Sequence, residues 1–222
     1  YHSYFSFDFK LKRFLEADVV DDLIRNQLWL GAFHPNEYKD LFSKAMLVDM
    51  PRNIFEDIDI QRDRIRGLEK FLQLGYSYLK HYMAEDILVK IDRATMFNSL
   101  EVRSPFLDTN LAEYVFSLPV NLKLHGFKTK YILKRLMTGH LGADVVNRSK
   151  QGFSIPLARW LANDLRDIVA QNLNRERIVR DGIFNPDYIE RLIDEHVKGH
   201  CDHRKRIWTL LTFQLWKESN FH

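Results

Sequence analysis

Residues 86–108 read DILVKIDRATMFNSLEVRSPFLD, and the spacing of their charges sets the fold reading. Asp86, Lys90 and Arg93 fall at i, i+4 and i+7, positions that project from one side of an α-helix. Asp92 lies on the same helix, and Glu101 and Arg103 follow at its end. Ser104-Pro105 stops the helix, because a residue before proline is biased away from α conformation. Asp108 then caps a further helix from Thr109 to Ser117. By spacing alone the first three charges form an exposed stripe stabilising by about 0.3–0.5 kcal/mol per pair. The mixture of both signs between apolar residues points further, to a partly buried polar network, since buried charges persist only when paired or bound to a ligand.

Downstream, residues 147–156 read NRSKQGFSIP. Lys150 follows Arg148 in a loop between two predicted helices. Gly152 permits a turn with positive φ, Phe153 can pin the loop into a core, and Pro156 starts the next helix. A pinned loop holding one Lys and one Arg suits an anionic ligand, whereas an isolated Arg-x-Lys would read as a solvated loop. A third basic cluster, Lys128 and Lys130 in GFKTKYILKR, sits at a helix start. Cations there oppose the helix dipole, a conflict that a bound anion or a nearby carboxylate would relieve.

Helical periodicity runs through most of the chain. Ile65, Leu68, Leu72, Leu79 and Tyr82 suggest one long helix through the sixties and seventies. Asn185-Pro186 is an N-cap followed by proline at the first helical position. Ile189, Leu192, Ile193, His196 and Val197 then make one apolar face, and Gly199 can close that helix. Ile207, Trp208, Leu210, Leu211, Phe213, Leu215 and Trp216 wrap more than one side of the last helix, which predicts a buried helix that anchors the core. Phe5, Phe7, Phe9 and Leu11 alternate with polar residues as in a strand, with no evident partner. No Pro-, Gly- or Ser-rich linker interrupts the chain, so residues 1–222 read as a single helical unit.

Composition narrows the class. At 222 residues, 45% hydrophobic and 13% aromatic, the chain can bury a sizeable core. A formal charge of +3 is too balanced to imply nucleic-acid binding, and the Arg62, Arg64, Arg66 and Arg204, Lys205, Arg206 clusters read as solvated helix faces. The single cysteine, Cys201, fits a reducing compartment and an expected cytoplasmic location. No run approaches the ~18 apolar residues of a membrane span, and YHSYFSFDF is not a signal peptide. The histidines show no metal-ligand spacing, so no metal ligands are assigned, and His200 and His203 are expected at the surface. Nucleophile-elbow and Walker lysine motifs are missing.

Residues 86–108, KYILKRLM (130–137), VVNRSKQGFSIPLARWL (145–161) and the tail GIFNPDYIERLIDEH with RIWTLLTFQLW together resemble the C-terminal part of class B, glutamine-dependent asparagine synthetase. The likeness is strongest from about residue 75 onward. It implies a mainly α chain: the helical C-terminal portion of an α/β synthetase domain of the PP-loop, adenine nucleotide α-hydrolase-like type, with little or no sheet. It also implies a chemistry in which ATP, aspartate and Mg2+ give β-aspartyl-AMP and pyrophosphate. Ammonia from an N-terminal glutaminase domain then gives asparagine. By the same resemblance Lys150 lies against the phosphates, and Asp86 is similar to a carboxylate that orients reacting groups or serves the ammonia step. Lys90, Arg93, Glu101, Arg103 and Arg148 bind nucleotide or brace the site. A homodimer is compatible with this reading; nucleic acid and membrane are not expected partners.

The departures are large. The family's SGGxDS and SGxGxDE loops are absent, as is the catalytic cysteine of the glutaminase, since position 1 is Tyr. The chain is therefore expected to begin inside a longer polypeptide, and alone to be inactive and to bind ATP only weakly. Three other readings stay open: an amide- or β-lactam-forming synthetase with another acceptor, a non-catalytic helical interaction module, and a nucleic-acid-binding helical domain.

Overall fold

The computed structural model describes residues 21–149 and 155–221. The aromatic alternation from Phe5 to Leu11 and the Lys150–Gly152–Phe153 turn lie outside the described residues. The structure is mainly α. Its sheet content among the described residues is a two-residue-per-strand antiparallel hairpin, Leu124–His125 with Lys128–Thr129, and one isolated bridge between Phe42 and Phe184. By contact the chain groups into two compact units, Tyr1–Glu56 with Ser154–His222, and Asp57–Phe153, a division that no linker composition announces.

The first unit holds the apolar core. Its helices include Leu157–Ala162, Arg166–Asn172, Arg175–Asp181, Pro186–Val197 and Arg204–Asn220, and the last of these packs against Leu157–Ala162, Arg166–Asn172 and Pro186–Val197. Leu161, Ile178, Ile189 and Ile207 are at most 1% exposed within the cluster. The caps expected from sequence form. Asn185 accepts from the Asp187 amide at 3.1 Å, and Gly199, at φ 72°, ends Pro186–Val197 in the left-handed turn that only glycine adopts without strain. The last helix anchors this core through Ile207, Leu210 and Leu211, but Trp208 and Trp216 on its other sides are 41% and 52% exposed. The expectation of burial on several sides is corrected accordingly: no described element covers the second face.

Polar ties join the helices of this unit. Asp181 is bonded to Lys217 at 2.7 Å. Burial, the largest single influence, pushes its carboxyl up, but Lys217, Gln214 and Arg180 together outweigh it and hold the carboxyl below the usual carboxylate value. Glu37, ending the turn Pro35–Glu37, accepts from the His34 amide at 2.8 Å, from Tyr188 Oη at 3.3 Å and from the Arg206 guanidinium. Desolvation raises Glu37, and the His34 amide and Arg206 outweigh it to leave the carboxyl lowered. Burial beside this carboxylate lifts the Tyr188 phenol to about 12. The expectation that His203 sits at the surface is also corrected: it is 5% exposed, because Glu195 at 2.6 Å and Arg206 at 3.1 Å supply partners for both ring nitrogens.

The second unit is built differently. Helix Glu56–Ile65 stops at a turn in which Gly67 takes φ 93°, so the long helix read through the sixties is split there. From Lys70 an unbroken rod runs through Lys70–Ser77, a π-helical segment Tyr78–Leu88 and Val89–Met96. Asp108 caps Thr109–Ser117 through the Leu111 amide at 3.0 Å. The hairpin then leads into Tyr131–Leu141 and Ala143–Val146. From Tyr78 to Ser149 no residue is buried; Phe97, Phe106 and Leu136 are 91%, 68% and 63% exposed.

Candidate functional site

Within the second unit, Tyr131–Leu141 and Ala143–Val146 pack side by side and enclose a concavity of about 500 Å³. Its floor is apolar, from Leu133, Met137, Leu141, Val145 and Val146. Its polar residues are Lys130, Lys134 and Arg148, with Thr129 and Ser149 beside them, and no carboxylate is among the described lining residues. The concavity opens beside the N-terminus of Tyr131–Leu141, whose first turn carries no acid and no side-chain cap. Unpaired first-turn amides and three cations make one region of positive potential. Such an arrangement takes a polyanion with an apolar portion.

Lys130 occupies the N-cap position at φ 55° and ψ 37°, the left-handed region. A side chain there costs roughly 1–2 kcal/mol, and residues held in that conformation cluster where a ligand is gripped. Lys130→Gly should therefore raise the unfolding free energy by about 0.5–1 kcal/mol, the relieved strain less glycine's entropic penalty. Urea denaturation measures this directly, and a lowered midpoint would show the backbone there to be unstrained.

The residues singled out from sequence divide into groups. Arg148 lines the concavity. Asp86 lies in the π-helical segment, and Lys90 and Arg93 in the helix that continues it; all are exposed and none forms an ion pair among the described residues. The i, i+4 rule assumes α winding, and i→i+5 bonding up to Leu88 changes how Asp86 projects relative to Lys90. Glu101 and Arg103 bond each other at 2.7 Å with side chains 69% and 87% exposed. The expected partly buried network is thus an exposed set. The physical reason is that the apolar residues interleaved with it, Met96, Phe97 and Val102 among them, are themselves uncovered, so the charges stay hydrated. Lys150 lies outside the described residues. Lys134 was missed from sequence, although its place four residues after Lys130 puts both on one helical face. Among the described residues no three of His, Cys, Asp and Glu converge where a metal ion could sit, and no helix is long and apolar enough to cross a membrane.

The asparagine synthase family model matches residues 2–218. Asparagine synthetase [glutamine-hydrolyzing] 1 of Bacillus subtilis is 34% identical over 205 residues, covering 92% of this chain and 29% of the relative. A putative asparagine synthetase [glutamine-hydrolyzing] of Mycobacterium tuberculosis is 37% identical over 151 residues, covering 68% and 23%. The amidase chyE of Penicillium rubens is 32% identical over 127 residues, covering 54% and 19%. The chain thus spans less than a third of the length of these relatives. No solved structure matches it. With ordered motifs, a mainly helical architecture and a family match across nearly its whole length, the chain belongs to the asparagine synthase family.

Proposed function

We propose that this chain is the helical part of an ATP-dependent amidotransferase that makes asparagine. In this reading an oxygen of the aspartate β-carboxylate attacks the α-phosphorus of ATP. The bond from that phosphorus to the α–β bridging oxygen breaks, pyrophosphate leaves, and β-aspartyl-AMP forms. Ammonia released from glutamine by a glutaminase domain of the parent polypeptide then attacks the β-carbonyl carbon, and AMP leaves. The family match across residues 2–218 carries the proposal.

The cationic concavity supports a role in the first step. Adenylation builds negative charge on the departing pyrophosphate, and fixed cations stabilise charge that develops in a transition state. Lys150 is proposed as the catalytic cation, with Arg148, Lys130 and Lys134 holding the phosphates. Asp86 is proposed to orient the reacting groups or take a proton from the attacking ammonia. Lys90, Arg93, Glu101 and Arg103 are proposed to bind nucleotide or brace the site. Mg2+ accompanies ATP in this proposal; the described residues offer it no ligand set, so no step of this chain's is assigned to it. A cytoplasmic location is proposed on the single cysteine, Cys201.

The test is pyrophosphate release by the parent polypeptide with ATP and a series of carboxylic acids. Release that needs aspartate, with glutamine consumed and asparagine formed, is the expected result; ADP and phosphate as products would overturn the adenylation reading. The likeness to the amidase chyE, and to the amidase chry2 of Gibberella zeae at 27% identity over 117 residues, favours a second reading in which the same activation serves another acceptor. Release that ignores aspartate but responds to another carboxylate would select it.

A further inference from the structure

His196 and His203 are 6% and 5% exposed in the first unit, whereas every residue assigned to the chemistry above belongs to the second. Each ring nitrogen has a hydrogen-bond partner. His196 Nε2 lies 3.1 Å from the Ala158 carbonyl and must donate to it, while its Nδ1 accepts the His203 amide at 3.3 Å. His203 Nδ1 faces the Arg206 guanidinium at 3.1 Å and can only accept, so its Nε2 donates to Glu195 Oε2 at 2.6 Å. These partners fit a neutral His196 ring with its proton on Nε2. A proton added to His196 Nδ1 would meet the His203 N–H head-on. The nearest carboxylate to that nitrogen is Asp202, whose Oδ1 is 3.9 Å away.

We propose that His196 is an acid-opened latch on residues 198–203: neutral, it holds that turn closed through the His203 amide, and protonated at Nδ1 it releases the amide and pairs with Asp202.

The surrounding charges make the exchange two-sided. Asp202 favours the protonated ring but is already bonded to Arg204, at 2.7 Å to Nε and 3.1 Å to its amide. From the following helix Arg204 and Arg206 oppose added positive charge, with Glu37 behind Arg206. On its own helix Glu195 is engaged by His203. From Leu157–Ala162 it is the Ala158 carbonyl that reaches the ring, Arg159 being exposed beside Asp164. That bond needs only Nε2–H and survives protonation. Burial, the largest influence, and His203 set His196 below the ordinary imidazole value, against the Ala158 carbonyl, Asp202 and the Cys201 backbone. The sign follows. The unfolded chain binds this proton more readily, so the latch's stabilisation is complete above about pH 6.5 and is lost as pH falls through the lower folded value. Because His203 precedes Arg204–Asn220, release frays the start of the helix that anchors the core.

The experiment is a pH titration of the 222-residue chain from 8 to 5, reading imidazole nitrogen shifts of His196 and the exchange protection of the His203 amide. As His196 Nδ1 takes its proton, protection of the His203 amide should fall at least tenfold, while the Ile207 amide, bonded to the His203 carbonyl at 3.0 Å, changes less. Asp202→Asn should move the His196 midpoint lower by about half a pH unit or more, since the anion favouring the charged ring is gone. In His196→Gln, whose amide offers a donor and an acceptor without titrating, protection should stay constant over the same range. The proposal is overturned if His203 protection in the unsubstituted chain is constant while His196 titrates. It is equally overturned if Asp202→Asn leaves the midpoint in place, or if His196→Gln keeps the acid-dependent loss. The titration of the unsubstituted chain decides the matter even where a variant does not fold.

Discussion

Replacing Lys150 by alanine in the parent polypeptide is expected to slow aspartate-dependent pyrophosphate release by about three decades. A unit charge ~4 Å from the developing negative charge, at an effective dielectric of ~20, contributes roughly 4 kcal/mol, and each 1.36 kcal/mol is tenfold in rate. Arg148 and the lysines at the head of Tyr131–Leu141 stay in place, so three decades is an upper guide. The loss should fall on kcat more than on KM, because the stabilised charge is greatest in the transition state. The fold should stay intact, so that the loss reports on the chemistry alone. Release at near-normal rate by a folded Lys150→Ala protein would remove this lysine from the chemistry without touching the family assignment.

The largest structural effect should come from Ile189→Ala. Ile189 is fully buried and shares its cluster with Leu161, Ile207 and Leu211. Removing a buried aliphatic side chain forfeits its transfer free energy and leaves a cavity, together about 2–5 kcal/mol. The surroundings favour the upper half of that range: neighbours from two other helices, Leu157–Ala162 and Arg204–Asn220, hold the wall in place, so collapse around the gap is restricted. The measurement is the urea midpoint at constant slope. A shift under about 1 kcal/mol would mean that these helices repack freely and that the cluster is not the seat of the molecule's stability. Val48, 84% exposed, is the matching control, since truncating it should change stability by less than about 0.5 kcal/mol.

Much of the first unit was legible from residue order alone, because its signals are local. Asn185 before Pro186, Gly199 after Val197 and the 3.6-residue apolar face between them all act within one helix. Asp108 likewise caps its own first turn, with no distant partner. The misreadings have longer reach. The apolar rhythm of Ile65, Leu68 and Leu72 continues across Gly67, and the glycine's freedom to take φ 93° outweighed it. π-Winding from Tyr78 to Leu88 leaves no mark in the apolar pattern. The surface placement of His203 missed Glu195, on the preceding helix, which reaches the ring only once the turn between the two helices has folded; Arg206 is a local partner three residues on. Arg148, which the motif singles out, lines the concavity. The concavity was not, because its walls come from two helices with ordinary apolar residues, and only Lys134's spacing from Lys130 hinted at it. Whether the charges of residues 86–103 would be buried could not be read at all, since burial depends on what covers them rather than on their own order.

The absence of any buried side chain from Tyr78 to Ser149 also bears on calorimetry. The heat-capacity increment of unfolding comes mostly from apolar area newly wetted, and that stretch has little left to wet. Cooperativity must then reside mainly in the unit around Ile189 and Ile207, and one sharp endotherm reports on that unit. The stretch from Tyr78 to Ser149 melts more gradually beneath it, absorbing heat as its helical hydrogen bonds break but adding little to the heat-capacity increment.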